Sequence, residues 1–318
     1  MWTYIVKRLI QAIPVLVLIT FAVFSLEILL PGDPVFALIG SSGGQGLTKE
    51  EIAAYRKEFH LNDPIPVQYG IWLDHVLHGD LGTSIKSQRP VTSELRHRMP
   101  VTLQLGLAAL ILGIVVAFPL GILAAIYRNT PIDRAITVVS IAGVSIPNFF
   151  LGILLIILFA VKLGWLPASG FTEITTNPLK ALRYLILPAF VLSAGSIGGL
   201  TRFIRSSMLE VLRQDYVRTA RAKGLAGRRV IWLHALKNAM LPVVTIIGLQ
   251  VGYLLSGAVI IEEIFSIPGV GGYFYAGLEN KDFPVAQALA LVLGVCVLLA
   301  TLLTDLSYSF LDPRIRFR

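Results

Sequence analysis

Six stretches of this chain run for 18 residues or more without Asp, Glu, Lys or Arg, and most of their residues are apolar. A bilayer core takes about 20 such residues per helix, because backbone polar groups inside lipid need internal hydrogen-bond partners. The stretches cover residues 9–26, 101–127, 135–161, 184–201, 241–261 and 284–304. Because 55% of the chain is hydrophobic and only 14% is charged, they predict an all-α integral membrane protein with six transmembrane helices.

Basic residues are distributed unevenly between the alternate segments that connect these stretches. If the N-terminus is cytoplasmic, the inner segments hold 16 Lys and Arg against 5 acids. The outer segments then hold 11 Lys and Arg against 13 acids, without counting Glu27 at the end of the first stretch. Cytoplasmic loops of membrane proteins carry the excess of Lys and Arg, so both termini are predicted to be cytoplasmic.

The apolar stretches lack the side chains that intramembrane catalysis or proton-driven transport requires. They contain no Asp, Glu, His, Lys or Arg, and the chain has neither a GxxxxGK[ST] phosphate loop nor an HExxH zinc motif. No catalytic residue, bound metal or cofactor is therefore predicted for this chain. Energy for uphill transport has to come from a partner, and the rival class is a passive channel or a membrane scaffold.

Uncharged polar residues inside the stretches are candidates for lining a translocation path. The candidates are Pro147, Asn148, Gln250 and Ser256. Proline removes a backbone donor and bends a helix, which opens space beside Asn148. The alternative for each polar side chain is an interhelical hydrogen bond.

Two glycine patterns favour close approach of the backbone. Gly195 and Gly199 are four residues apart, which allows tight helix contact within the fourth stretch. Between the fifth and sixth stretches, "FSIPGVGG" contains Pro268, Gly269 and Gly271, which permit a tight turn. This turn is interpreted either as an outer gate or as an ordinary connection.

The outer segment that follows the first stretch is predicted to contain helices. Thr48 and Glu51 have the spacing of a capping box. Two amphipathic faces follow, and they are expected to lie on the membrane surface or on the bundle. The first face comprises Ile52, Tyr55 and Phe59, and the second comprises Tyr69, Trp72, Leu73, Val76 and Leu77.

Two histidines in this outer segment raise the alternative of a metal site. His75 and His78 are flanked by Asp74 and Asp80. Two histidines on an amphipathic helix are also typical of a solvated face, which is the preferred interpretation.

The stretch "VRTARAKGLAGRRV" at residues 217–230 has five basic residues and no acid. Such a loop could bind anionic lipid, nucleic acid or a protein. Nucleic acid is disfavoured because no aromatic residue interleaves with the charges. Ala220 and Gly224 share one helical face, and their small size favours insertion into a groove of a partner protein.

This stretch resembles the cytoplasmic coupling loop of ATP-binding-cassette importer permeases, whose signature is Glu-Ala-Ala, three residues, then Gly. Ala220 and Gly224 match the signature, whereas Arg218 and Thr219 depart from it. The forms "DYVRTARAKGL" and "HALKNAMLPVV" are similar to the peptide and nickel transport branch. The same branch is matched by "LLPGDPV", "GDLGTSI", "RPV", "LGWLPASG", "FSIPGVGG" and "LDPRIR", and the resemblance spans residues 1–318.

The resemblance implies a type I importer permease fold with three parts. These are an N-terminal transmembrane helix at 1–30, a helical extracytoplasmic segment at 31–100, and a core permease domain at 101–318 that carries a coupling loop at about 202–240. The residues implied to couple the loop to an ATPase are Asp215, Arg218, Ala220, Arg221, Ala222, Gly224 and Arg228.

The resemblance also implies the assembly and its cargo. The partners would be a second homologous permease, two cytoplasmic ATPase subunits that bind ATP and Mg, an external substrate-binding protein and membrane lipid. The assembly would lie in a prokaryotic cell membrane. It would transport small peptides, or alternatively nickel chelates, glutathione or another small solute.

Overall fold

The structure is a computed structural model that describes residues 2–29, 48–58 and 60–311. These residues form helices joined by turns, and within them the β-type pairing is limited to an isolated bridge between Thr83 and Pro90. The first helices are α1 (Trp2–Leu29), α2 (Lys49–Glu58), α3 (Ile65–Leu77), α4 (Val91–Ile126), α5 (Pro131–Ser145) and α6 (Asn148–Leu155), which continues as a π-helix at Ile156–Lys162. The others are α7 (Pro178–Val211), α8 (Asp215–Ala222), α9 (Gly227–Arg229) with a π-helix at Val230–Ala235, α10 (Leu236–Ile264), α11 (Val270–Glu279) and α12 (Phe283–Leu311).

The described helices provide between four and six membrane spans. α1, α4, α7 and α12 each contain a segment long and apolar enough to cross a bilayer. Two bent pairs raise the number to six if each pair forms one span. The all-α prediction is confirmed. One bend divides the predicted third span, whereas the predicted fifth span begins at the other bend.

The bend predicted at Pro147 within residues 135–161 is present, and it is sharp enough to divide the predicted helix into two. α5 and α6 meet at 106°. Ile146 has extended backbone angles of φ −79° and ψ 123°. The ring of Pro147 disfavours helical angles at the preceding residue, and Pro147 has no N–H to continue the ladder. The other bent pair has an angle of 48° and changes direction beside Pro242.

α7 is the central helix of the bundle and packs against α4, α5, α6 and α10. Its N-cap is Asn177, whose side chain accepts a hydrogen bond from the Lys180 N–H at 3.0 Å. Near its middle, Leu192 packs with Leu105 and Leu254. Near its end, Ile204 and Met208 lie in a second buried cluster. We call the end of the bundle beside the turn between α7 and α8 the loop end, and the opposite end the cap end.

Close contact between α7 and α5 depends on glycines that the sequence pattern only partly identified. A Cβ atom added to Gly198 would overlap the backbone oxygen of Ser140. A Cβ atom added to Gly195 would lie 3.5 Å from the Tyr253 hydroxyl oxygen. One added to Gly199 would have no atom within 4 Å. The predicted tight contact at Gly199 is therefore wrong, because that glycine opens onto free space.

The predicted capping box is present at the start of α2. The Glu51 carboxylate accepts hydrogen bonds from the Thr48 N–H at 2.7 Å and from its hydroxyl at 2.9 Å. The Glu51 N–H donates to the Thr48 hydroxyl at 3.3 Å. The backbone and hydroxyl donors of Thr48 hold the pKa of Glu51 below its usual value, so the box persists at neutral pH. Phe59 lies outside the described residues.

α3 lies on the bundle, which is one of the two places predicted for it. The Tyr69 hydroxyl and the Thr20 hydroxyl of α1 are 2.7 Å apart. The rings of Tyr69 and Trp72 lie within 6 Å of Phe24. The aromatic side of the helix thus packs on α1, whereas Leu77 at its end is 76% exposed.

Candidate coupling surface, path and outer turn

α8 is held to the rest of the chain by its apolar side. Val217 and Ala220 are buried and pack with Val230. Beside this apolar side, Asn238 of α10 donates a hydrogen bond to the Tyr216 hydroxyl at 2.9 Å. α8 therefore packs on the π-helix at Val230–Ala235 and is hydrogen-bonded to α10.

Gly224 ends α8 through a Schellman motif, as its backbone shows. Its φ is +77°, a value that favours glycine. The Gly224 N–H donates to the Arg221 carbonyl at 2.9 Å, and the Leu225 N–H donates to the Ala220 carbonyl at 3.4 Å. The sequence of this loop thus ends α8 at a residue type that adopts this conformation without strain.

The expectation that Ala220 and Gly224 together present a small docking face is wrong. Ala220 is only 6% exposed because it packs on Val217 and Val230 of the same chain. Gly224 is exposed, but it follows the helix. The exposed predicted residues are Asp215, Arg218, Arg221, Ala222, Gly224 and Arg228. Arg218 lies 3.4 Å from Asp215, so one of these basic groups is partly compensated.

A groove lies beside this surface, in the segment that connects α8 with α10. Its volume is about 640 Å³, and its lining comprises Ala226, Arg228, Arg229, Trp232 and Leu233. Trp232 is 54% exposed and Leu233 is 62% exposed. The groove thus joins an apolar floor to two guanidinium groups.

The predicted path residues lie at two places, the start of α6 and the middle of α10. Asn148 is the first residue of α6 and is half-buried, and Pro147 is exposed. Gln250 of α10 accepts a hydrogen bond from the Ser196 hydroxyl of α7 at 2.6 Å. This is the interhelical bond that the packing alternative required. The side chain of Ser256 lies outside the described part of the chain.

The turn containing Pro268, Gly269 and Gly271 wraps around a buried carboxyl group. Glu262, at the cap end of α10, has no exposed surface. Its Oε1 accepts a hydrogen bond from Thr102, and its Oε2 accepts one from the Gly272 N–H at 3.0 Å. The turn is therefore tied to α4 and α10 rather than free in solvent.

Two positions of this turn have room only for glycine, because a larger side chain would overlap neighbouring atoms. A Cβ atom on Gly269 would overlap the Glu262 carboxyl group. One on Gly271 would lie 2.5 Å from the Cα atom of Val259. Glycine lets the backbone approach the buried carboxyl group closely enough to donate to it.

A second buried acid ties the outer segment to the turn before α12. Asp282 accepts hydrogen bonds from the Ser84 hydroxyl at 2.6 Å and from the Ile85 N–H at 3.1 Å. The Lys86 N–H adds a third at 3.3 Å. This contact fixes the segment between α3 and α4 on the cap end.

Near the loop end, α5 and α7 are joined by an ion pair. The Arg205 Nε atom lies 2.6 Å from Asp133 Oδ1, and Nη2 lies 2.8 Å from Oδ2. Asp133 is buried and also accepts a hydrogen bond from the Asn129 N–H at 2.9 Å. The two-point contact fixes the angle of the guanidinium as well as its distance.

The four residues considered as a metal site form two separate exposed pairs. His75 Nδ1 lies 3.5 Å from Asp80, and His78 Nδ1 lies 3.5 Å from Asp74. Among the described residues, no group of three His, Cys, Asp or Glu side chains converges on one point.

Several motifs that carried the resemblance meet at the cap end. The Gly170 N–H of "LGWLPASG" donates to the Phe265 carbonyl of "FSIPGVGG" at 2.9 Å. Val91 of "RPV" packs with Val270 in one buried cluster, and its N–H donates to Gly82 of "GDLGTSI" at 3.0 Å. Two of the motifs, "LLPGDPV" and "LDPRIR", lie outside the described residues except for the first residue of each.

Comparison with known families assigns the chain. Residues 117–317 match the binding-protein-dependent transport system inner membrane component family, and residues 1–106 match the N-terminal region of the corresponding membrane components. The chain belongs to this family. It is a multi-pass inner membrane permease subunit and not an enzyme, since its relatives are transport permeases.

The permease has full-length relatives and a related known fold. It is 41% identical to the oligopeptide transport system permease protein AppB of Bacillus subtilis, with 100% of both chains covered. It is also 41% identical to the dipeptide transport system permease protein DppB of Escherichia coli K12, again over 100% of both chains. The inward-facing MetNI methionine transporter matches with a TM-score of 0.58 at 19% identity, covering 69% of this chain and 96% of that chain. This likeness confirms the type I importer permease fold.

Sequence reasoning missed the acids that organise the permease. Glu262 and Asp282 were counted only as outer charges, and Asp133 only as an inner one. Glu262 directly follows an apolar stretch and precedes a glycine-rich turn, which is a signal for a buried acid. Nothing local to the sequence pairs Asp133 with Arg205, because 72 residues separate them.

Proposed function

We propose that this permease forms half of a translocation path for small peptides in an ATP-driven importer. The observation that carries the proposal is the 41% identity, over the whole of each chain, to permeases of oligopeptide and dipeptide transport systems. In the proposed assembly a second homologous permease completes the path. Two ATPase subunits bind ATP and Mg, an external binding protein delivers the peptide, and this chain holds no cofactor.

In this assembly the loop end is cytoplasmic and α8 is the coupling helix. The basic loop and the exposed Asp215, Arg218 and Arg221 support this placement. The exposed face of α8 docks on an ATPase, and Val217 and Ala220 transmit its movement to α10 through Val230. The three-part division at 1–30, 31–100 and 101–318 belongs to the same proposal, with both termini in the cytoplasm.

The polar positions take their roles from this orientation. Pro147 and Asn148 flank the bend between α5 and α6, and together with Gln250 and Ser256 they line the path. Pro268, Gly269 and Gly271 form the outer gate around Glu262. The 106° bend and the buried carboxyl group beneath the turn support these roles.

The orientation is tested with single cysteines in a variant that lacks Cys296. Ser87 is exposed at the cap end, and Ala226 is exposed at the loop end. An impermeant thiol reagent added to intact cells should label Ser87→Cys and spare Ala226→Cys until the cells are opened. The reverse pattern would show that the assigned orientation is wrong.

The transport activity is tested with the complete assembly in proteoliposomes. We expect uptake of radiolabelled dialanine that requires the binding protein and ATP and stops with a non-hydrolysable ATP analogue. Uptake without nucleotide would indicate a passive channel instead. Uptake of a nickel chelate or glutathione, with no uptake of peptides, would replace the substrate assignment while leaving the importer assignment in place.

A further inference from the structure

A strip of small and polar residues runs along one face of α7 towards the loop end. Gly195, Gly199, Arg202 and Ser206 follow each other at spacings of four, three and four residues, so they share one helical face. At the end of the strip farther from the loop end, Gly195 approaches the Tyr253 hydroxyl. The neighbouring Ser196 donates to Gln250, one of the proposed path residues. The strip thus connects the middle of the bundle with the loop end.

A cavity of about 430 Å³ opens where this strip approaches the loop end. A volume of this size falls in the range of about 300–1,000 Å³ that is typical of small-molecule sites. Gly199 contributes open space, since no atom lies within 4 Å of a Cβ placed on it. The lining residues are Thr137, Gly199, Arg202, Phe203, Arg205 and Ser206.

The cavity carries a net positive charge. Arg205 is paired with Asp133, which orients its guanidinium through Nε and Nη2. Arg202 is exposed and has no ion pair among the described residues, and no acid lines the cavity. Glu210 lies one helical turn beyond Ser206 and outside the lining. The Thr137 hydroxyl hydrogen-bonds to Asp133, so it belongs to the ion pair with Arg205. One guanidinium without an ion pair, that of Arg202, therefore faces the cavity together with the Ser206 hydroxyl.

We propose that this cavity binds an anionic oxygen group, the carboxylate of the transported solute, as the solute leaves the path at the loop end. Arginine and hydroxyl donors match a carboxylate, and the strip leads from the proposed path into the cavity. A lipid phosphate offers the same chemistry, so the experiment separates the two sources. The assignment of the solute rests on the proposed function, whereas the anion site does not.

Binding is measured by protection of a cysteine in the cavity. Ser206→Cys in a variant that lacks Cys296 is assembled with its partner subunits in phosphatidylcholine nanodiscs, and its labelling by a neutral maleimide is timed. N-acetylalanine should slow labelling, and the uncharged N-acetylalaninamide should not. Adding Arg202→Gln should weaken the protection about tenfold, and Arg202→Lys should retain part of it. Arg128→Cys, at an exposed position outside the cavity, should label at the same rate with either probe.

Three results would overturn the proposal. They are equal protection by the acid and the amide, no protection by either, and protection that appears only when phosphatidylglycerol is present. The last result would identify a lipid site. Because this assay does not depend on peptide uptake, absence of uptake with protection intact would count against the proposed function and leave the anion site standing.

A transport assay then connects the site with the solute. Arg202→Gln should slow ATP-dependent uptake of dialanine about tenfold and leave uptake of alanyl-alaninamide, where the assembly transports it, nearly unchanged. Arg128→Gln is the matched control and should behave as the wild type with both peptides. An equal loss of uptake for dialanine and alanyl-alaninamide would mean that Arg202 does not bind the carboxylate.

Discussion

The Thr102 hydroxyl donates to Oε1 of Glu262 over 2.5 Å and accepts a hydrogen bond from the Val270 N–H at 2.8 Å. Both side chains are buried, and 160 residues separate them in the sequence. One hydroxyl group therefore joins the cap end of α4, the end of α10 and the proposed outer gate. A movement of α10 relative to α4 has to stretch or break this link, which gives the gate a mechanical connection to the bundle.

Thr102→Val should destabilise this connection, because it leaves the Glu262 oxygen and the Val270 N–H without their partner. A buried polar group that loses its partner costs about 1–3 kcal/mol. We expect a lower thermal midpoint for the purified assembly and slower uptake. Thr102→Ser keeps the hydroxyl and should remain much closer to wild type. Equal behaviour of Thr102→Val and wild type would show that the hydrogen bonds are energetically unimportant.

Glycine substitutions in the turn test whether the backbone must approach Glu262 closely. Gly269→Ala and Gly271→Ala place a methyl group onto the Glu262 carboxyl group and the Val259 backbone, so both should impair folding or uptake. Overpacking of this kind costs about 1–3 kcal/mol. Gly272→Ala is the matched control, because its nearest neighbour would lie 3.5 Å away and its N–H remains. A loss at Gly272 as large as at Gly269 would contradict the steric explanation.

The pair of Asp133 and Arg205 should be required for the packing of α5 on α7. Removing one partner of a fully buried ion pair costs about 3–5 kcal/mol, because the other charge is left unpaired. The cost here should be smaller, because the Arg205 side chain is 28% exposed and water screens its charge. Arg205→Ala and Asp133→Ala are each expected to reduce the yield of folded protein in detergent, measured by size-exclusion chromatography. The double variant should recover part of the loss, since it leaves neither charge alone. Additive losses in the double variant would show that the two residues act independently.

Two alanines of α8 should respond differently to tryptophan. Ala220→Trp overfills the cluster with Val217 and Val230, so α8 should detach from the loop and the thermal midpoint should fall. Ala222→Trp lies on the exposed side, and it should leave the midpoint unchanged but reduce retention of the ATPase subunits in detergent. If Ala222→Trp retains the ATPase subunits and Ala220→Trp melts as the wild type does, the assignment of the two sides is wrong.

The local sequence determined which parts of the chain are helical and where they turn. Apolar stretches of span length select helices, because lipid offers backbone groups no other partner. The capping box at Thr48, the break at Pro147 and the helix end at Gly224 follow from residues within a few positions of each other. The family resemblance likewise depended on short motifs, and the comparisons with known proteins confirmed it.

Tertiary structure alone decided which face of each helix is covered and which distant groups meet. Spacing placed Ala220 and Gly224 on one face, but only the packing of Val230, ten residues later, shows that Ala220 is buried. Thr102 and Glu262 are likewise joined by the path of the whole chain, as are Asp133 and Arg205. Hydrophobic periodicity identifies a helix without identifying its neighbours, because apolar side chains satisfy lipid and protein equally well. The buried polar contacts specify those neighbours, because a donor and an acceptor must meet within about 3 Å.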